Sequence, residues 1–163
     1  MSIGEGTEIN FTTMRGRDFP TLKQFTVFLE NRVGQLLEVV RRFEGSQVRI
    51  VALSINDATE CAFLRLVLSH PEQGREILER AGLAMIESDL VGVVLPDGHQ
   101  PLVQVCTALL QAEVNIVQAH PLLFRPRGRP AVALMVDNIE MAMETLNGKG
   151  ITLVTDADLQ AEE

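Results

Sequence analysis

After Pro20 the chain begins to alternate, with Phe25, Val27 and Leu29 on every second position, the period of a half-buried strand. The period then changes. Leu36, Val39, Val40 and Phe43 follow the i, i+3, i+4, i+7 spacing of a helix stripe, and Gly45 predicts its end. The runs VRIVALSIND and CAFLRLVLS are rich in Val, Ile and Leu and predict a strand pair joined by a polar turn. A second helix is expected over Pro71 to Ala81, opened by Ser69 three residues before Glu72, with Gly74, Ile77, Leu78 and Ala81 facing the core. LAMIE predicts a fourth strand. The order is β-α-β-β-α-β.

The same order recurs 66 residues later. Phe25, Val27 and Leu29 map to Val91, Val93 and Leu95, and the helix stripe maps to Leu102, Val105, Cys106 and Leu109. VRIVAL maps to VNIVQA, which aligns Ser54 with His120. Past a longer hairpin, AFLRLV aligns with AVALMV, and DNIEMAMETLNGKG supplies a helix with stripe Ile139, Ala142, Met143 and Leu146. The endings SDL at 88–90 and ADL at 157–159 are also matched. Two copies of one α+β unit are therefore expected, each a ferredoxin-like antiparallel sheet with both helices on one face. The predicted organisation is an arm over residues 1–19, polar and without period, then copies over 20–88 and 89–160. A unit of roughly 70 residues is marginal alone, so the copies are expected to pack together.

The stretch LKQFTVFLENRVGQLLEVVRRFEG, with VRIVALSI and AFLRLVL behind it, resembles an ACT domain, and residues 20 to 160 resemble two in tandem. The resemblance implies small regulatory modules of ferredoxin-like fold, attached to or partnered with enzymes of amino-acid metabolism. It also implies pairing of sheets side by side, and an amino acid bound at the junction near the loop from first strand to first helix. The family loop, Asp or Asn, any residue, Pro, Gly, any residue, Leu, is matched by Asn31, Arg32, Val33, Gly34, Gln35 and Leu36, with Val33 in the proline position. The second copy aligns Asp97, Gly98, His99, Gln100, Pro101 and Leu102, which keeps the acid and the leucine and loses the glycine.

Elementary chemistry supports a ligand at the first loop. Asn31 offers an amide to a ligand or caps the helix, Gly34 allows close approach, and N–H groups at Gln35 and Leu36 suit a carboxylate. The alternative is a plain strand-to-helix turn. In the second copy Asp97, His99 and Gln100 are the candidate contacts. One working loop and one altered partner are expected.

Composition narrows the function classes. The 163 residues carry 22 acidic against 14 basic side chains, a formal charge of −8, which argues against nucleic acid and anionic membranes as partners. An RNA-binding version of this fold would need a basic surface and exposed aromatics, and the chain has no Trp or Tyr. The apolar runs fall short of a membrane span, and the N-terminus lacks the pattern of a signal peptide, so a cytoplasmic protein is expected. Cys61 and Cys106 form no metal-ligand pattern and are expected as reduced, mostly buried thiols. His70, His99 and His120 share no ligand spacing, though His120 is placed to line the junction between copies. Arg125, Arg127 and Arg129 sit on the longer hairpin, as an anion clamp or as solvated charges, and Met135, Met141 and Met143 take core positions.

No nucleophile with a base, carboxylate pair or metal cluster emerges, so neither an enzyme nor a cofactor is expected. The expected function is that of a regulatory protein binding an amino acid between copies or chains, with a homodimer through sheet edges. The competing expectation is a regulatory or interaction subunit of an amino-acid biosynthetic enzyme such as acetolactate synthase.

Overall fold

The computed structural model describes residues 20–30 and 32–161; the expected arm over 1–19 and the candidate ligand residue Asn31 lie outside the described residues. The first copy consists of β1 (Leu22–Glu30), α1 (Gln35–Arg41), β2 (Ile50–Asp57), β3 (Cys61–Leu68) and α2 (Pro71–Arg80). A long β4 (Met85–Val94) leads into α3 (Pro101–Gln111), β5 (Ile116–Pro121), β6 (Ala131–Val136), α4 (Ile139–Gly148), β7 (Leu153–Val154) and α5 (Asp156–Gln160). The expected α+β class and the doubled β-α-β-β-α-β order are present.

All seven strands join one antiparallel sheet in the order β2-β3-β1-β4-β6-β5, with β7 also on β4. Residues 85–90 of β4 pair with β1, while Val91 to Val94 pair with β6 and Gly92 and Val93 also pair with β7. LAMIE and the following VGVV, expected as two strands, are thus one strand shared by both copies. No glycine or proline intervenes between Met85 and Val91, so nothing stops the alternation. The expected division between positions 88 and 89 falls inside it.

Each copy buries one sheet face under its helices. Phe25, Val27, Leu64 and Leu66 meet Val39, Phe43 and Leu78 in the first core, and Val91, Val93 and Leu134 meet Val105, Leu109, Met143 and Leu146 in the second. The opposite faces also meet. Leu22, Val51, Ala52, Val67, Leu90, Val94, Ala131, Ala133, Val154 and Leu159 form a third core between the copies. The sheet curls far enough for Leu123, just past β5, to donate its N–H to the Val51 carbonyl of β2 at 2.7 Å. The Arg49 guanidinium anchors α5, donating to the Leu159 and Ala161 carbonyls at 2.7 and 2.8 Å.

The repeat extends to irregularities: the β2–β3 ladder breaks register between Ile50 and Ala52, and the β5–β6 ladder breaks it between Ile116 and Gln118. The third-strand alignment needs correction. Leu66 lies opposite Phe25 and Leu134 opposite Val91, so Leu66, not Arg65, is the counterpart of Leu134. A slip of one residue turns a strand inside out, and the corrected register makes Ala133 the counterpart of Arg65.

Other corrections are local. Ser69 does not cap α2; the N-cap is His70, and the Ser69 hydroxyl instead accepts the Arg49 N–H at 2.8 Å and bonds His70 Nδ1. In α3 the pair Val105 and Leu109 is buried, whereas Leu102 and Cys106 are exposed, so the expected stripe is half as wide. Cys61 is half-buried, and neither thiol is the buried core group expected. SDL lies in β4 and ADL in α5, whose Thr155 and Asp158 form a capping box; that matched ending was a coincidence of composition.

Candidate ligand sites

In the β1–α1 turn, Gly34 is the N-cap of α1 with φ of 86°, the left-handed region that glycine enters without strain. That single residue redirects the chain from strand to helix. Val33 is fully exposed, and a Cβ built on Gly34 would meet nothing within 4 Å. The Arg32 guanidinium is engaged within the turn, donating to both Glu38 oxygens at 3.1 and 2.9 Å and lying 3.4 Å from Glu30. Its hydrogen bonds, then its charge, hold the Glu38 carboxyl below the usual carboxylate range. Leu36 is half-buried against the first core. Gln35 opens α1 with its Oε1 buried and without a hydrogen-bond partner among the described residues. At seven residues α1 has a limited dipole, so the expected attraction for a carboxylate is weaker than the sequence implies.

The second loop is built differently. Its positive φ belongs to Gly98, at 131°, while Gln100, in the slot of Gly34, has φ of −130°. Asp97 is taken up by the protein itself: Gln104 Nε2 donates to its carbonyl at 3.0 Å and Arg129 Nη2 to its carboxylate at 2.9 Å. His99 and Gln100 are exposed. Arg129, a candidate anion clamp, thus ties its hairpin to this loop, and Arg127 lies 3.3 Å from Asp158. The two loops do not converge within the chain, because the first sits at the Met85 end of β4 and the second follows Val94. Ten residues of strand, roughly 30 Å at 3.3 Å per residue, separate them.

A further polar cluster lies between the copies, on the sheet faces turned away from the helices. Arg65 pairs with Thr26 on one side and Ser54 on the other, so the three share one row of that face. Gln24 is two residues from Thr26 and completely buried, and its Nε2 donates across to Gln118 Oε1 of β5 at 3.4 Å. Gln24 Oε1, Ser54 Oγ and His120 Nε2 are all buried without a partner among the described residues. Each such atom costs about 1–3 kcal/mol when left unmatched. His120, expected at the junction, is there.

Burial, and then the charge of Arg65, depress the His120 pKa below its ordinary 6.5. The unfolded chain therefore takes up the proton first. The stability associated with the neutral ring is complete above about pH 6.5 and is lost as pH falls from there through the folded value. Urea unfolding at pH 7.5 and 5.5 should show a loss that His120→Gln reduces; an equal loss in both proteins would remove His120 as its source.

Gln24 and Arg65 escaped the sequence reading because alternation places them opposite Phe25 and Leu66, on positions that look solvent-facing in one copy alone. The repeat itself held the signal: a second sheet must be packed somewhere, and the unhelixed face is available. Elsewhere, a crevice of about 560 Å³ between α2 and α5 is lined by His70, Glu72, Glu76 and Asp156 among others. Its carboxylates repel an anionic group. Burial raises the Asp156 pKa, opposed by Lys23.

The ACT domain pair family matches residues 20–162. The chain belongs to the ACT domain pair family. Among solved structures it is similar to protein BT0572 from Bacteroides thetaiotaomicron, with 26% identity and a TM-score of 0.77 over 87% of this chain and 97% of the other. It is similar in fold to the ligand-free regulatory subunit of aspartate kinase from Thermus thermophilus, with 12% identity and a TM-score of 0.55 over 80% and 93% of the two chains. The corresponding subunit from Thermus flavus gives 12% identity and 0.51 over the same shares, 80% and 93%. Comparison with curated proteins finds no match. Among the described residues, no helix of this ACT pair is long and apolar enough to cross a membrane, and no group of three or more His, Cys, Asp or Glu could hold a metal ion.

Proposed function

We propose that this ACT pair is a cytoplasmic, non-catalytic regulatory protein that binds an amino acid, with the turn formed by Asn31, Arg32, Val33, Gly34, Gln35 and Leu36 as a contact surface. The observation that carries the ligand reading is Gln35 Oε1, an acceptor enclosed in the turn and unmatched among the described residues. It suits a ligand ammonium group. Asp97, His99 and Gln100 form the altered counterpart, where Arg129 already occupies the acid. Since the two turns lie far apart in one chain, a second copy of the chain, paired along the β2 or β5 edge, completes the junction. A ligand then favours one packing arrangement by its difference in affinity for the two states.

A thermal-shift screen of the twenty amino acids tests this, because a ligand of the folded state raises the melting temperature in proportion to the logarithm of its excess over Kd. Gly34→Asn keeps a residue that tolerates positive φ and places a side chain over the turn. It and Gln35→Ala should shrink the shift. If no amino acid gives a shift, the ligand reading fails; an undiminished shift in both variants removes the turn from the site.

One observation favours the second reading, a regulatory chain docked on a metabolic enzyme. Val103, Cys106 and Leu110 line an exposed apolar stripe on α3, with Val103 at 57% and Leu110 at 74% exposure. Affinity capture from native extract should then recover a catalytic chain in equal amount, and Leu110→Lys should release it. Recovery of this protein alone would count against that reading.

A further inference from the structure

We propose that Gln24, Ser54, Arg65 and His120 form a second ligand site, between the facing halves of the curled sheet, for a small carboxylate that also carries a hydrogen-bond donor: an α-hydroxy- or α-amino-carboxylate. The site is separate from the β1–α1 turn and does not depend on it. Its chemistry follows from what each group lacks. Among the described residues Arg65 pairs with no carboxylate; its guanidinium donates to the neutral Asn56 Oδ1 at 2.6 Å and keeps further donors. Those donors, with the Ser54 hydroxyl, suit a carboxylate. Gln24 Oε1 can only accept, so it calls for a donor on the same ligand. His120, neutral at pH 7, offers Nε2 as acceptor or donor according to tautomer.

The two copies contribute unequally. At the positions equivalent to Thr26, Phe63 and Arg65 it carries Gly92, Ala131 and Ala133, small residues buried in the core between copies. The large and charged members therefore come from the first copy and His120 from the second, so a ligand here bridges both. Access is from the side where that core ends: Arg65, Ser54 and His120 are half-buried, beside the edge-to-face pair Phe28 and Phe63 and the exposed Ile86. The crevice between α2 and α5 has no comparable cation among its lining residues.

The test is imidazole NMR on the full chain, titrated with the twenty amino acids, lactate and malate, with His70 as internal reference. At least one compound should move the His120 resonances saturably while His70 stays fixed. Arg65→Met should weaken that response at least tenfold, Ser54→Ala should weaken it in a fold that tolerates the change, and Gly34→Asn should leave it intact. No movement of His120 with any compound overturns the second site, as does movement undiminished in both Arg65→Met and Ser54→Ala. A compound that raises the melting temperature through the turn, with His120 unmoved, overturns the second site and leaves the turn reading standing.

Discussion

Leu22→Ala is expected to lower the unfolding free energy by about 2–5 kcal/mol, the range for emptying a fully buried leucine site. Leu22 is 0% exposed, opens β1, pairs with Leu90, and belongs to the core between the copies. Its Cδ1 lies 2.7 Å from where a Cβ on Gly92 would stand, so it fills the hollow that the glycine leaves. Neighbours on β4 are held by pairing to β1, β6 and β7 and cannot collapse freely into the cavity, which favours a large cost. Urea unfolding should move to a lower midpoint as a single transition, since β4 belongs to both helical cores. A loss under about 1 kcal/mol would show that the packing between copies contributes little, and two separated transitions would show that the copies unfold independently.

The helices and strands that could be read from the sequence were those whose partners are local. Phe25, Val27 and Leu29 alternate toward helices of their own copy, and their counterparts Val91, Val93 and Leu95 do the same. What escaped was set by distant contacts. Arg65 was matched to Leu134 because counting from apolar residues cannot see a one-residue difference in hairpin length, and the ladders alone fix which face each residue takes. Ser69 looked like a helix cap until Arg49, twenty positions earlier, claimed its hydroxyl.

The candidate turns divide in the same way. The lost glycine of the second loop was legible, and so was the expectation that the loops differ. The reason for the difference was not: Gly98 carries the positive φ two positions earlier, and Arg129, brought from the hairpin, holds Asp97. A sequence comparison sees a damaged motif, whereas the structure contains a different, self-satisfied turn. Gln24, Ser54 and His120, each with a polar atom unmatched among the described residues, converge only because the two halves of the curled sheet face each other. No window of the sequence contains them together.

Gly92→Ala is the sharper test of that facing arrangement, with an expected loss of about 1–3 kcal/mol for overpacking. Its backbone is ordinary strand, so the cost comes from space alone. An added Cβ would stand 2.7 Å from Leu22 Cδ1 and 2.7 Å from Val154 Cβ. The leucine end can rotate away, but the valine Cβ is fixed to β7, which is only two residues long and paired to Gly92 itself. Either β7 leaves the sheet or β4 bends, and both loosen the contact between copies. Gly74→Ala is the control, because its closest clash is with the movable end of Leu68 and an alanine gains about 1 kcal/mol of helix propensity. In Leu22→Ala the Gly92→Ala change should cost less than in the parent, since one of its two obstacles is gone, so the pair should be non-additive by about 0.5 kcal/mol or more. Strict additivity in urea unfolding would mean that Val154 alone sets the limit and that Leu22 yields freely.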